Sequence, residues 1–104
     1  MTDQRFAGRR AVVTGGARGI GLAVARRLAA GGARVALWDL DGAALTAATG
    51  QLEGAPGIAA CRLDLTDEKA VAAAAADTHS AFGAPDILVN NAGITGPNQK
   101  TWEY

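Results

Sequence analysis

Three short stretches of this chain are almost continuously apolar or β-branched: Arg10 to Gly15 (RAVVTG), Ala33 to Asp39 (ARVALWD) and Asp86 to Asn91 (DILVNN). A weaker fourth runs from Gly57 to Asp64 (GIAACRLD). Unbroken rather than alternating apolar character predicts strands covered on both faces. The segments between them repeat with a helical period. Ile20, Val24 and Leu28 recur every four residues before a Gly31-Gly32 stop. Leu45, Ala48 and Leu52 share a face behind Asp41, a plausible N-cap. Val71, Ala75, Thr78 and Phe82 share a third face, with Asp67 and Glu68 in the first turn, where carboxylates suit the helix dipole, and Gly83 and Pro85 at the end. The alanine run from Ala72 to Ala76 reads as a good helix former packed close to a sheet.

The order is therefore β-α-β-α-β-α-β. That alternation predicts an α/β fold with a parallel sheet, flanking helices and right-handed crossovers. A chain of 104 residues suffices for about one small domain, and no linker divides it. Only 5% of the residues are aromatic while Gly alone contributes 14, which favours close helix–sheet packing.

Charge and cysteine content narrow the function classes. Lys plus Arg and Asp plus Glu both number 10, so there is no basic field for nucleic acid and no acidic tail. A single cysteine, Cys61, excludes an internal disulfide and gives no metal-ligand spacing. The first ten residues, MTDQRFAGRR, contain no apolar signal core, and no apolar run approaches the roughly 20 residues of a membrane span. The expectation is a soluble, cytoplasmic protein with no membrane, nucleic-acid or metal partner.

The segment VTGGARGIG, Val13 to Gly21, follows the first strand and opens the first helix. Gly15 and Gly19 permit backbone conformations that a side chain penalises. Gly21 lets the helix lie close to the sheet and to a ligand. Free N–H groups at the helix start, with the helix dipole, suit a pyrophosphate. No Lys-Ser/Thr pair follows, so this is not the phosphate loop of a nucleoside triphosphatase. The competing reading is a tight strand–helix turn with no ligand.

Asp39 ends the second apolar run, 18 residues beyond Gly21. In a dinucleotide fold an acid at this distance accepts from the adenosine ribose, and its charge repels a 2′-phosphate. The alternative is that Asp39 or Asp41 simply caps the next helix; Asp41 is the better cap and Asp39 the better ribose ligand. Arg18 complicates the preference for NAD over NADP, because a guanidinium in the glycine turn could meet a 2′-phosphate.

With TGGARGIG, DLT and NNAG read in order, the chain resembles the short-chain dehydrogenase/reductase family, and more narrowly the 3-oxoacyl-acyl-carrier-protein-reductase-like enzymes. The glycine spacing Gly15, Gly19, Gly21 matches that family's GxxxGxG form. The resemblance implies a Rossmann-type parallel sheet, here the βαβαβαβ portion of a doubly wound fold, and a nicotinamide cofactor. It implies that Thr14, Gly15, Arg18, Gly19, Ile20 and Gly21 cradle the pyrophosphate and that Asp39 holds the ribose. Asp64 would accept from the adenine amino group with Leu65 beside it, and Asn90, Asn91, Ala92 and Gly93 would line the cofactor. Each has a structural rival: Asp64 could begin the turn to Thr66, a plausible N-cap of the third helix, and the asparagines could be satisfied amides at a sheet end. A Rossmann-like methyltransferase also uses a glycine turn and an acid after the second strand; NNAG argues against it.

The family's reaction is hydride transfer between nicotinamide and a carbonyl or alcohol carbon of a small molecule. It requires a Tyr with a Lys four residues later, a Ser and an Asn. The one tyrosine here is the last residue, Tyr104, and Lys100 precedes it, so no catalytic residue is assigned. His79 reads as a solvated helix residue and Cys61 as core rather than nucleophile. The expectation is that residues 1–104 are the cofactor-binding portion of a larger domain, from a parent that is a homo-oligomer. The alternative is a non-catalytic dinucleotide-binding or interaction fragment.

Overall fold

The computed structural model describes residues 5–52 and 55–90. Seven elements follow in strict alternation: β1 (Arg10–Thr14), α1 (Gly19–Ala30), β2 (Arg34–Asp39), α2 (Gly42–Gln51), β3 (Ile58–Arg62), α3 (Glu68–Phe82) and β4 (Ile87–Asn90). The strands form one parallel sheet in the order β3-β2-β1-β4. The chain steps outward from β1 through β2 to β3, then returns through α3 to place β4 on the other side of β1. The strand order therefore reverses between β1 and β4, and a parallel sheet with such a reversal opens a crevice beyond the carboxyl ends of its strands.

Two apolar layers cover the sheet. On one face Ala11, Val13, Val35 and Leu37 pack with Ala25 and Leu28 of α1 and Leu45 and Ala48 of α2. On the other, Val12, Ala36 and Trp38 pack with Ala74, Val71 and Phe82 of α3. Successive strand residues thus serve opposite faces, and this is why β1 and β2 read as continuous apolar runs. The expectation of two covered faces holds for these two strands. In β4 residues alternate between half-buried and exposed, and in β3 half-buried positions mix with the exposed Ala60 and Arg62, because each strand is an edge of the described sheet. Leu88 on β4 is 68% exposed.

Three sequence expectations change in detail. Ile20 does not share the buried face of α1; it is 73% exposed, and Gly21, Ala25 and Leu28 make that face. On α3 the inward position is Ala74 rather than Ala75, which sets the buried stripe at Ala74 and Thr78 with Val71 and Phe82 beside them. Four-residue spacing from Val71 overshoots because the helical repeat is 3.6. The N-cap of α3 is Asp67, whose carboxylate accepts from the Lys69 and Ala70 N–H groups, and not Thr66. Thr66 is occupied elsewhere: its hydroxyl and its N–H both donate to Asp64 Oδ1, at 2.7 and 2.9 Å.

Beneath the sheet, Trp38 donates its indole N–H to the Thr78 hydroxyl at 3.2 Å, the buried polar tie between β2 and α3. Burial pushes the Cys61 thiol up, against a hydrogen bond to Thr78 that lowers it. A half-buried thiol so raised is a core group, as expected, and His79 lies exposed near the end of α3.

Candidate functional site

Because all four strands run in parallel, their carboxyl ends lie along one edge of the sheet. Thr14 of β1 stands in register with Trp38 of β2 on one side and Asn90 of β4 on the other. The glycine turn, Asp39, Asp64 and Asn90 all lie at or just past these ends. The topology thus gathers the residues picked out from the sequence, although 76 positions separate Thr14 from Asn90.

The glycine turn is shaped by three requirements. Gly15 and Gly19 take φ of 65° and 60°, in the left-handed region that favours glycine. Gly16 meets the third: a Cβ there would lie 2.8 Å from Leu37 Cδ2 and 2.9 Å from the Val13 carbonyl oxygen. The turn therefore presses directly onto β1 and β2. Its entry is held by Gly15 N–H donating to the Trp38 carbonyl at 2.8 Å. Gly21, in the first turn of α1, is buried.

The start of α1 is the distinctive feature of this edge. Arg18 occupies the N-cap position with an extended backbone, makes no side-chain cap, and is followed by no acid in the first turn. The first N–H groups of a helix have no intrahelical acceptor, so they and the positive end of the dipole face the crevice. The exposed Ile20 sits in this opening turn.

Asp39 ties the turn to the end of β2. Its Oδ2 accepts from Ala17 N–H and its Oδ1 from Asp41 N–H, both at 3.1 Å. Asp41 in turn accepts from Ala44 N–H at 3.0 Å through Oδ1, capping α2 as expected, while its Oδ2 pairs with the Arg18 guanidinium. The Ala44 hydrogen bond is the main reason the Asp41 carboxyl lies below the ordinary aspartate range, and Arg18 adds to the effect. On the far side of the β2–α2 turn, Arg62 donates Nε–H to the Leu40 carbonyl at 3.1 Å.

Leu63 N–H donates to the Asp39 carbonyl at 2.9 Å, which brings Asp64 next to the end of β2. The Asp64 carboxyl is held below its ordinary range, chiefly by the Thr66 hydroxyl and then by the Thr66 N–H. Leu65 is half-buried against the core on the α3 face. At the other end of the crevice the Thr14 hydroxyl lies 3.1 Å from Asn90 Oδ1 and 3.2 Å from the Val89 carbonyl, both acceptors for its proton. Asn91, Ala92 and Gly93 lie outside the described residues.

Sequence reasoning missed three contributions. Gly16 is required by close approach, Ala17 by its N–H to Asp39, and Asp41 by its pairing with Arg18. The Gly-Gly pair and the Asp-x-Asp spacing were the available signals. Among the described residues, no group of His, Cys, Asp or Glu is placed to hold a metal ion, and no helix is long and apolar enough to cross a membrane.

A family model described as short chain dehydrogenase matches residues 9–103. The chain belongs to this family. Within it, the chain is 50% identical over 100 residues to a 2-dehydro-3-deoxy-L-rhamnonate dehydrogenase (NAD(+)) of Sphingomonas sp., covering 96% of this chain and 39% of that protein. It is 48% identical over 91 residues to a 2-(R)-hydroxypropyl-CoM dehydrogenase of Xanthobacter autotrophicus, covering 86% of this chain and 36% of the relative. Among solved short-chain dehydrogenases and reductases, the L-sorbose reductase of Gluconobacter frateurii, complexed with NADPH and L-sorbose, superimposes with a TM-score of 0.83 at 37% identity, covering 94% of this chain and 38% of that one. The chain thus spans little more than a third of the length of these relatives. The Rossmann-type sheet expected from the motifs is the fold they share with it.

Proposed function

We propose that this chain is the nicotinamide-dinucleotide-binding part of an oxidoreductase that transfers hydride between the cofactor and a small carbonyl or alcohol substrate. The observation that carries the reading is the open start of α1: a glycine turn at the strand-order reversal delivers an uncapped helix N-terminus to the crevice, with Asp39 beside it. Such an arrangement suits a pyrophosphate. Thr14, Gly15, Arg18, Gly19, Ile20 and Gly21 form the phosphate cradle in this reading. Asp39 keeps acceptor capacity for the ribose hydroxyls, since each of its oxygens takes one protein N–H. Asp64 and Leu65 flank the adenine, and Asn90 with Asn91, Ala92 and Gly93 lines the cofactor. The bound nicotinamide supplies the hydride chemistry. Every role proposed for residues 1–104 concerns holding the cofactor within a single Rossmann-type domain.

The cofactor preference proposed is NAD over NADP, on the charge of Asp39. The relatives named above include one designated for NAD(+) and one solved with NADPH, so the local charges of this chain carry the distinction. The whole protein is proposed to be a cytoplasmic homo-oligomer, which sedimentation of the whole protein would check. The central test is calorimetric titration with NAD+ and NADP+. Saturable binding, displaced by ADP-ribose and weakened by Gly19→Val, is the expected result. Absence of binding to either dinucleotide would overturn the reading.

A further inference from the structure

Four charged side chains gather where the glycine turn touches the β2–α2 turn: Arg18, Asp39, Asp41 and Arg62. Asp39 and Arg62 are register partners across β2 and β3. Arg18 is the one cation within the glycine turn, and it adjoins Ala17, whose N–H binds Asp39. A 2′-phosphate on a ribose held by Asp39 would thus arrive within reach of Arg18. Arg18, however, is already engaged with Asp41.

The engagement is built in. Asp41 is held by two backbone bonds, its own N–H to Asp39 and its carboxylate to Ala44 N–H. One carboxylate oxygen caps α2, and the other is left pointing at the glycine turn. Little side-chain freedom remains to be lost when the guanidinium docks on it. Arg62 is committed differently: its Nε binds the Leu40 carbonyl, and its Cδ lies 3.1 Å from where a Cβ on Gly42 would be. It braces the turn from behind.

On the reading that the glycine turn holds a nicotinamide dinucleotide, we propose that Asp41 is a second specificity-determining residue, acting through Arg18. By pairing with the guanidinium it withholds from a 2′-phosphate the cation that would otherwise neutralise it. Asp39 disfavours the 2′-phosphate by repulsion. Asp41 disfavours it by occupying the residue that would offset that repulsion. Asp41 touches neither cofactor nor substrate in this scheme; it is a positioning residue.

The experiment is a double-mutant cycle on the whole protein, read as the ratio of NADP+ to NAD+ association constants. It is repeated with 2′,5′-ADP and 5′-AMP, which probe the adenosine end without any turnover. Asp41→Asn and Asp41→Ser both keep a side-chain oxygen for the α2 cap while removing the charge. Each is expected to raise the ratio about tenfold, the scale of one unit charge acting near the protein surface. The gain is expected to vanish when Arg18→Ala is added, because the released guanidinium is its source. A ratio unmoved in both Asp41 variants, with NAD+ still bound, would overturn this inference and leave the proposed function standing. A gain that survives removal of Arg18 would also overturn it, assigning the effect to Arg62 or to net charge. Failure of the unmodified protein to bind either dinucleotide would overturn both.

Discussion

The three helices among the described residues begin in two different ways. α2 and α3 each start on an aspartate whose carboxylate accepts first-turn N–H groups: Asp41 from Ala44, Asp67 from Lys69 and Ala70. α1 starts on an arginine that caps nothing, after a turn with two glycines at positive φ, and with no acid in its first turn. A side-chain cap contributes about 1 kcal/mol. The chain forgoes that stabilisation at the one helix that opens at the strand-order reversal and adopts it at the two that do not. Helix starts closed by the protein's own carboxylates are structural, whereas the open start is the one that the proposed function fits to an anion from outside.

The variant expected to break this contrast most strongly is Gly16→Ala. Its methyl group would lie under 3 Å from both Leu37 and a backbone carbonyl of β1, so the turn must lift off the sheet. A loss of about 1–3 kcal/mol is expected from urea unfolding, with NAD+ binding weakened in the same variant. Unchanged stability would show that the turn does not depend on close approach.

Arg18→Ser makes α1 resemble its neighbours. The hydroxyl can accept from the first turn, so stability should rise by about 0.5–1 kcal/mol relative to Arg18→Ala. Dinucleotide binding should fall about tenfold between the same two variants, since one donor for the phosphate is now taken. Using Arg18→Ala as the reference removes the loss of the guanidinium from the comparison.

Asp67→Ala makes α3 resemble α1 at its start without giving it a glycine turn. Thermal or chemical unfolding should show a loss of about 1 kcal/mol, and NAD+ affinity should stay within error of the unmodified protein. A change in affinity would mean that the α3 cap communicates with the crevice.

Acid provides the gentlest test. The Asp41 carboxyl is held below the ordinary value near 3.8 by the Ala44 N–H and by Arg18. Its contribution to stability is therefore complete above that value and is lost as pH falls through the lower folded-state value. Asp86, held down mainly by the Arg10 N–H, behaves in the same sense. Unfolding midpoints followed down through this range should decline, and Asp41→Asn should flatten the decline in part.

The sequence announced the architecture well because its two central strands are buried on both faces. Alternate residues of RAVVTG and ARVALWD serve the α1–α2 layer and the α3 layer in turn, which confines polar residues to the ends of each run. The glycine positions were legible for a similar reason: Gly15 and Gly19 meet a backbone requirement that other residues satisfy poorly. Less legible were features that depend on neighbours distant along the chain. Nothing in the spacing of Arg18 and Asp41 says that they pair, and Gly16 acquires its constraint only from Leu37 and Val13. The cap of α3 was misplaced by one residue because Thr66 and Asp67 are both competent caps. The contest is decided by Asp64, which takes both Thr66 donors into its own turn. The inward position at Ala74 was hidden because five consecutive alanines carry no periodic signal.

The double attachment of Asp39 bears on how such a protein can change. Its carboxylate is the joint through which the glycine turn and the β2–α2 turn are fastened to each other. A substitution at position 39 intended to admit a different cofactor would loosen two turns at the moment it altered the charge. Position 41 carries no tie to the glycine turn except the ion pair, and its cap survives replacement by Asn or Ser. On the proposed reading, a change of cofactor preference would disturb less structure at position 41 than at position 39.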